Sequence, residues 1–248
     1  FCGGISRPVI SIDWSDLDDR KAHFLLRAAI SLKGRPITLY QEVHCNKTKE
    51  KPTTHRAFLK ALHAILPSHC RPIIVTDAGY KSPWFREVLA LGWDIVGRIR
   101  KPHMYSIDGE KTWQCIRHLY DQATCRPKRF DNSHIVRRNP FACTLVLFKQ
   151  KAKGRHATNP DGTHKASKRS KVHAQGAKDP WLLATSLKTH RHLSKQVVAI
   201  YRQRMQIEEG FRDMKSTKFG LGYEQNKSVK KQRLTILILL TTLASLVA

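Results

Sequence analysis

The chemistry legible in this chain sits in one basic stretch and two isolated acids. Residues 194–218 read SKQVVAIYRQRMQIEEGFRDMKSTK and place Arg204, Glu208 and Lys215 three, seven and fourteen positions after Tyr201. At roughly 100° of rotation per residue, one helix over this stretch would set the four side chains within about 60° of one another, an acid among bases. Ile200, Ile207, Phe211 and Met214 fall on the adjoining stripe, which predicts that this helix docks on an apolar surface. Ser194 is the candidate N-cap, and Gly220 and Gly222 are the candidate terminators. Glu209 rivals Glu208 but lies about 100° further round, off the stripe. The same pattern also suits an amphipathic surface helix held by i,i+4 charge pairs.

Two upstream acids follow buried strand-like runs. Asp13 closes the β-branched run in PVISIDW, with Asp16 and Asp18 as local competitors. Asp77 closes PIIVTD and is followed by Ala78 and Gly79, at the strand end where open α/β sheets place their ligands. Each acid taken singly also fits turn or helix-cap chemistry. Taken together, the spacing Tyr-x2-Arg-x3-Glu-x6-Lys with IDWSD and VTDAGY before it resembles the YREK signature of bacterial insertion-sequence transposases, within the RNase H-like DDE superfamily. The resemblance covers residues 7–248. It implies that Asp13, Asp77 and Glu208 are the catalytic residues and the ligands of two Mg²⁺ ions, with Mn²⁺ able to substitute.

Paired divalent ions about 3.5–4 Å apart suit in-line displacement at phosphorus, and Mg²⁺ keeps several waters, so a few carboxylates suffice. The implied reaction is metal-dependent strand cleavage at the ends of an insertion sequence, followed by strand transfer of the freed 3′-hydroxyl. An RNase H-like nuclease would show the same acids without the Tyr-Arg-Glu-Lys stripe. A catalytically silent DNA-binding remnant would keep the charge and the fold without turnover.

The elements that must position these residues read in order. Strands are expected over residues 8–14, 23–31 and 36–43, with a hairpin turn at Lys33-Gly34-Arg35. A helix is expected over 53–66, where Phe58, Leu62 and Ile65 share a face. A strand over 72–77, a helix over 83–91 and a strand over 93–99 follow. The order βββαβαβ with a later helix predicts an α/β fold, an RNase H-like mixed sheet flanked by helices. About ninety residues then precede the catalytic helix, and FACTLVLF and WLLATS within them predict a β-rich insertion subdomain. The expected division is 1–100 and 191–248 for the core and 101–190 for the insertion.

Composition points to the partner. Lys and Arg number 45 against 19 Asp and Glu, a formal charge of +26, while 41% of residues are hydrophobic, so a basic globular chain rather than a disordered tail is expected. Double-stranded DNA is the expected partner; a basic ribosome-associated protein would fit the charge but not the three placed acids. The expected DNA contacts are Tyr201, Arg204, Arg212 and Lys215 near the catalytic acid, and Lys168, Arg169 and Lys171 in the basic run 149–178, whose one acid is Asp161. Trp181 in DPWLLATSL is a candidate to stack on a flipped base, as in some members of the family, or else a core residue. Tyr201 equally fits helix packing.

A DNA-bound homodimer follows from the resemblance, as does a bacterial cytoplasmic, nucleoid-associated location. The six cysteines form no CxxC pair and suit reduced thiols; Cys115 and His118 with Cys125 make at most part of a zinc site. The apolar run 234–248 has fifteen residues against the roughly 20 needed to span a bilayer, so a buried core helix is expected there. Both chain ends read as truncated, and only twelve residues precede Asp13, so an N-terminal region reading the terminal repeats is expected to be missing.

Overall fold

A computed structural model describes residues 4–18, 20–32, 34–150, 179–218, 220–228 and 230–247. Two compact units divide the chain: the first is Phe1–Gly97 with Ala199–Ala248, the second Arg98–Val198.

In the first unit, β1 (Val9–Asp16), β2 (His23–Ser31) and β3 (Pro36–Cys45) form the antiparallel meander expected from the sequence. β4 (Ile73–Thr76) then pairs parallel with β1, and β5 (Asp94–Ile99) pairs parallel with β4. The mixed order β3-β2-β1-β4-β5 is the RNase H-like arrangement.

Helices cover both faces because the strands alternate. α1 (Pro52–Ile65) starts at a proline whose missing N–H costs nothing there, and it buries His55, Phe58, Leu59 and Leu62 at helical spacing. Phe58 packs on Tyr40 of β3, with ring centroids 5.0 Å apart. Ile65, expected on the buried stripe, is 53% exposed at the last turn instead. α2 (Ser82–Ala90) buries Trp84, Phe85 and Val88.

The opposite face of the meander, carrying Leu25, Ala29 and Val43, buries Ile207, Phe211 and Met214 from the stretch that holds Glu208. Arg27 lies on that face as well, its guanidinium over the Phe211 ring and its Nε bonded to Gln41.

The second unit is an antiparallel meander, as the strand-like pieces of its sequence predict. β6 (Met104–Ser106) pairs with β7 (Gln114–Cys115) and β8 (Lys128–Ile135); β8 pairs with β9 (Phe141–Phe148), and β9 with β10 (Trp181–Thr185). A single-turn helix, α3 (Arg117–Tyr120), follows β7.

Two expectations are corrected. Residues 194–218 form two helices, α4 (Leu193–Gln203) and α5 (Met205–Lys215), so Ser194 lies inside a helix rather than capping one. α5 ends at Ser216, and Gly222 instead begins a 3-10 turn in the left-handed conformation, short of which Gly220 stops neither helix. Residues 234–247 of the apolar run lie within α6 (Lys231–Val247), where among the described residues only Leu234 and Ile238 are fully buried; Ile236, Leu239, Leu240 and Leu243 are more than half exposed. An all-round apolar sequence hides which side will find a surface. No helix among the described residues is long and apolar enough to cross a membrane.

Gly97 on β5 shows how closely α2 approaches the sheet: a Cβ there would lie 2.5 Å from two carbons of the Phe85 ring. Gly97→Ala is therefore expected to lower stability by about 1–3 kcal/mol, measured by urea unfolding. Gly79→Ala, with no neighbour within 4 Å, should change it by less than about 0.5 kcal/mol.

Candidate active site

Strand register brings the two aspartates together. β1 and β4 run parallel with Val9 opposite Ile73 and Ser11 opposite Val75, and the same offset sets Asp13 level with Asp77. Neighbouring strands lie about 4.8 Å apart, so two carboxylates meet just beyond the paired end of β4. Asp13 does not terminate β1, as the sequence suggested: the strand continues to Asp16 because its antiparallel pairing with β2 outlasts the pairing with β4. Asp16 instead meets Lys21 and Lys49, and Asp18 closes the β1–β2 turn by accepting the Ala22 and His23 amides.

The break at Arg204 then delivers the third acid. Arg204 keeps right-handed helical dihedrals and its amide bonds Tyr201 O at 3.1 Å, so the chain makes a tighter turn there. The Ser31 hydroxyl reaches the Gln203 carbonyl at 3.4 Å, and Gln206 Nε2 donates to Leu32 O at 2.9 Å, which ties the break to the end of β2. From this fixed turn the Tyr201 hydroxyl donates to Asp77 Oδ1 at 3.0 Å. Arg204 Nη1 donates to Asp13 Oδ2 at 3.2 Å, and its Nη2 to Glu208 Oε1 at 2.7 Å. Glu209 turns away to an exposed contact with Arg212. Asp13, Asp77 and Glu208, each from a different element, are thus joined through two side chains of the predicted stripe.

Residues 6–247 match the Transposase DDE domain, nearly the whole chain. The chain belongs to that family. The transposase is accordingly an enzyme that acts on DNA in transposition and recombination of insertion sequences, and divalent metal ions are general to its family. No protein with a curated description matches it.

Burial sets the electrostatics of the transposase site. It pushes the Asp13 carboxyl up to about 7; Arg204 pulls the other way, Asp77 and Glu208 add repulsion, and the Trp14 amide donates to Asp13 Oδ1 at 2.8 Å. The Arg204 guanidinium is itself buried, which disfavours its charge, yet Tyr201 and the surrounding acids hold it above its usual range. Its Nε is buried without a hydrogen-bond partner among the described residues.

The sequence reading passed over the aromatic residues behind the acids. Trp14 Nε1 lies 3.2 Å from His55 Nε2, and burial, then His44, lowers His55 to about 4, which leaves it a neutral acceptor. Tyr80 stacks on His55 and packs on Trp84, its buried hydroxyl unpartnered among the described residues. The available signal was position: both aromatics sit in the motifs themselves, in IDW and DAGY.

Three carboxylates are a hard-oxygen donor set of the kind Mg²⁺ and Mn²⁺ take. Among the described residues no group of three or more His, Cys, Asp or Glu is arranged around a metal position, the Cys115–His118–Cys125 set included. Arg204 supplies the counter-charge between Asp13 and Glu208. Of the remaining expected DNA contacts, Arg212 is exposed on α5 and Lys215 half-buried at its end. Trp181 is buried in the second unit against Phe148, with ring centroids 5.8 Å apart. Lys168, Arg169 and Lys171 lie outside the described residues.

A pH dependence follows from Asp13. Its folded-state pKa is raised from 3.8 to about 7, so the folded chain binds a proton that the unfolded chain releases between those values. The associated stability is fully present below about pH 4 and is lost as pH rises through about 7. The wild-type chain should therefore lose up to roughly 4 kcal/mol relative to Asp13→Asn over that window. Urea midpoints at stepped pH measure the difference, and a constant difference would return Asp13 to an ordinary carboxyl pKa.

Proposed function

We propose that this transposase belongs to the YREK branch, cleaves one DNA strand at an insertion-sequence end and joins the freed 3′-hydroxyl to target DNA. Asp13, Asp77 and Glu208 are its catalytic carboxylates in this reading. The observation that supports it best is Arg204, which bonds both Asp13 and Glu208 while the neighbouring Tyr201 bonds Asp77.

The same three acids would hold Mg²⁺ or Mn²⁺, two ions in this reaction class. The bound ions would supply Lewis-acid stabilisation of charge on the attacking and leaving oxygens. The protein's own part is positioning. β1 and β4 set the two aspartates level, and the tethered turn at 203–206 holds Glu208 to them. Burial raises the Asp13 carboxyl pKa, so cation binding there would release a proton near neutral pH. Arg204 keeps the acids together before a cation arrives, and its unpartnered Nε–H is a donor left for a phosphate oxygen. Arg212 and Lys215 extend positive charge along α5 for the flanking backbone, with Lys168, Arg169 and Lys171 assigned to DNA by their composition. Trp181 is assigned to base stacking by its motif, although its ring packs within the second unit. Synapsis of two ends makes a DNA-bound homodimer the working form, at the nucleoid.

The catalytically silent remnant remains the second reading, and one observation favours it: Arg204 occupies Asp13 Oδ2 and Glu208 Oε1, oxygens that a cation would need. Calorimetry separates the two. In the enzyme reading Mn²⁺ gives saturable heat that Asp13→Asn, Asp77→Asn and Glu208→Gln each remove while the fold is retained, and the same variants stop nicking of supercoiled plasmid. A folded chain that takes up no Mn²⁺, with or without DNA, would establish the remnant.

A further inference from the structure

A basic cleft in the second unit is built by elements that the acid site does not use. Ile116, just before α3, and Leu119 within it are completely buried, and that three-residue spacing turns Arg117 and His118 outward and leaves Tyr120 half-buried. The Ile116 amide donates to His103 O at 3.3 Å, and His103 Nδ1 bonds Arg100 O at 2.7 Å, which fixes the 100–103 turn beside the helix. Lys101 from the turn and Arg117, His118, Tyr120 and Asp121 from the helix line an open cleft of about 430 Å³.

Charge in the cleft is unbalanced. Among the described residues Lys101 and Arg117 have no carboxylate partner, nor does the neighbouring Arg100, and Asp121 is the single acid of the lining. Two donors are also unspent: Arg100 Nε and the Tyr120 hydroxyl are buried with no hydrogen-bond partner among the described residues. Burial, then the charge of Asp179, raises the Tyr120 pKa, so its hydroxyl keeps its proton at neutral pH. An unpaired buried donor costs about 1–3 kcal/mol, a penalty that a ligand rich in acceptor oxygens relieves.

We propose that this cleft takes a backbone phosphate of duplex DNA, held by Lys101, Arg117 and the Tyr120 hydroxyl. A phosphodiester offers two charged non-bridging oxygens, suited to the fork of an arginine, the point charge of a lysine and one hydroxyl donor. The site lies within the second unit and needs no metal. It rests on the reading of the chain as a DNA-acting enzyme, but not on the acid assignments.

The test titrates a labelled duplex with the full chain over a series of salt concentrations. Lys101→Ala and Arg117→Ala should each reduce the slope of log K against log salt by about 1, and the double variant by about 2. Tyr120→Phe carries no charge change and should weaken binding roughly two- to tenfold at constant slope. Circular dichroism checks that these exposed or half-exposed substitutions leave the fold unchanged.

Unchanged slopes in all three charge variants overturn the proposal. If inorganic phosphate still shifts the amide resonances of residues 100–103 and 116–121 in that case, the cleft is a free-phosphate site and the DNA assignment is wrong. A wild-type chain that binds no duplex overturns it too. Slope losses without Mn²⁺ uptake would leave the cleft standing and remove the catalytic reading; unchanged slopes with intact Mn²⁺ uptake would do the reverse.

Discussion

The site depends on one electrostatic compromise: carboxylates drawn together in a poorly solvated place need a positive charge, and Arg204 provides it. A guanidinium is well suited to this because its planar fork can address two acids at once and remains charged even when buried. It bonds Asp13 from β1 and Glu208 from its own helix, so a strand at the start of the chain and a helix near its end share one partner. Breaking such a buried arrangement leaves unpaired charge, which is why removal of one member costs far more than an exposed pair would. Asp13, partly exposed, feels repulsion from two other acids with one arginine to balance them. That imbalance is the physical reason a divalent cation would find the site attractive.

Geometry around this charge is set by backbone pairing. The parallel register of β1 and β4 sets Asp13 level with Asp77. The turn at Arg204 matters as much, because α4 and α5 are short helices whose relation is fixed at one point by Ser31 and Gln206. The apolar face of α5, through Ile207, Phe211 and Met214, anchors it on the meander and so holds Glu208 at a constant height over the sheet. Arg27, on the same face, is itself buried and pressed to about 10, a further sign that α5 closes this surface tightly.

The strong basic excess of the chain distributes between both units. In the first it serves the acids directly and continues along α5; in the second it gathers where α3 meets the 100–103 turn. Phosphate contacts supply affinity and register rather than sequence discrimination, so a chain with this charge can hold DNA across a broad surface.

Much of this was legible in the sequence. Continuous β-branched and apolar runs marked the strands, Phe58 and Leu62 at helical spacing marked α1, and the Tyr-Arg-Glu-Lys spacing singled out Glu208 over Glu209, because local patterning is a property of neighbouring residues. What neighbours cannot encode was decided by tertiary structure. The sequence preferred Asp13 to Asp16 and Asp18 by its place at the end of an apolar run; the register with β4 is what sets Asp13 level with Asp77, while bases and turn amides hold the other two. Helical periodicity ran unbroken through Arg204, whereas the ladder breaks there and its side chain turns to carboxylates on both sides. Nor could the apolar run 234–248 reveal that α6 buries Leu234 and Ile238 and leaves most of its length exposed. Sequence fixes which residues are able to pair or pack, but a long-range partner exists only once the chain has folded and removed the alternatives.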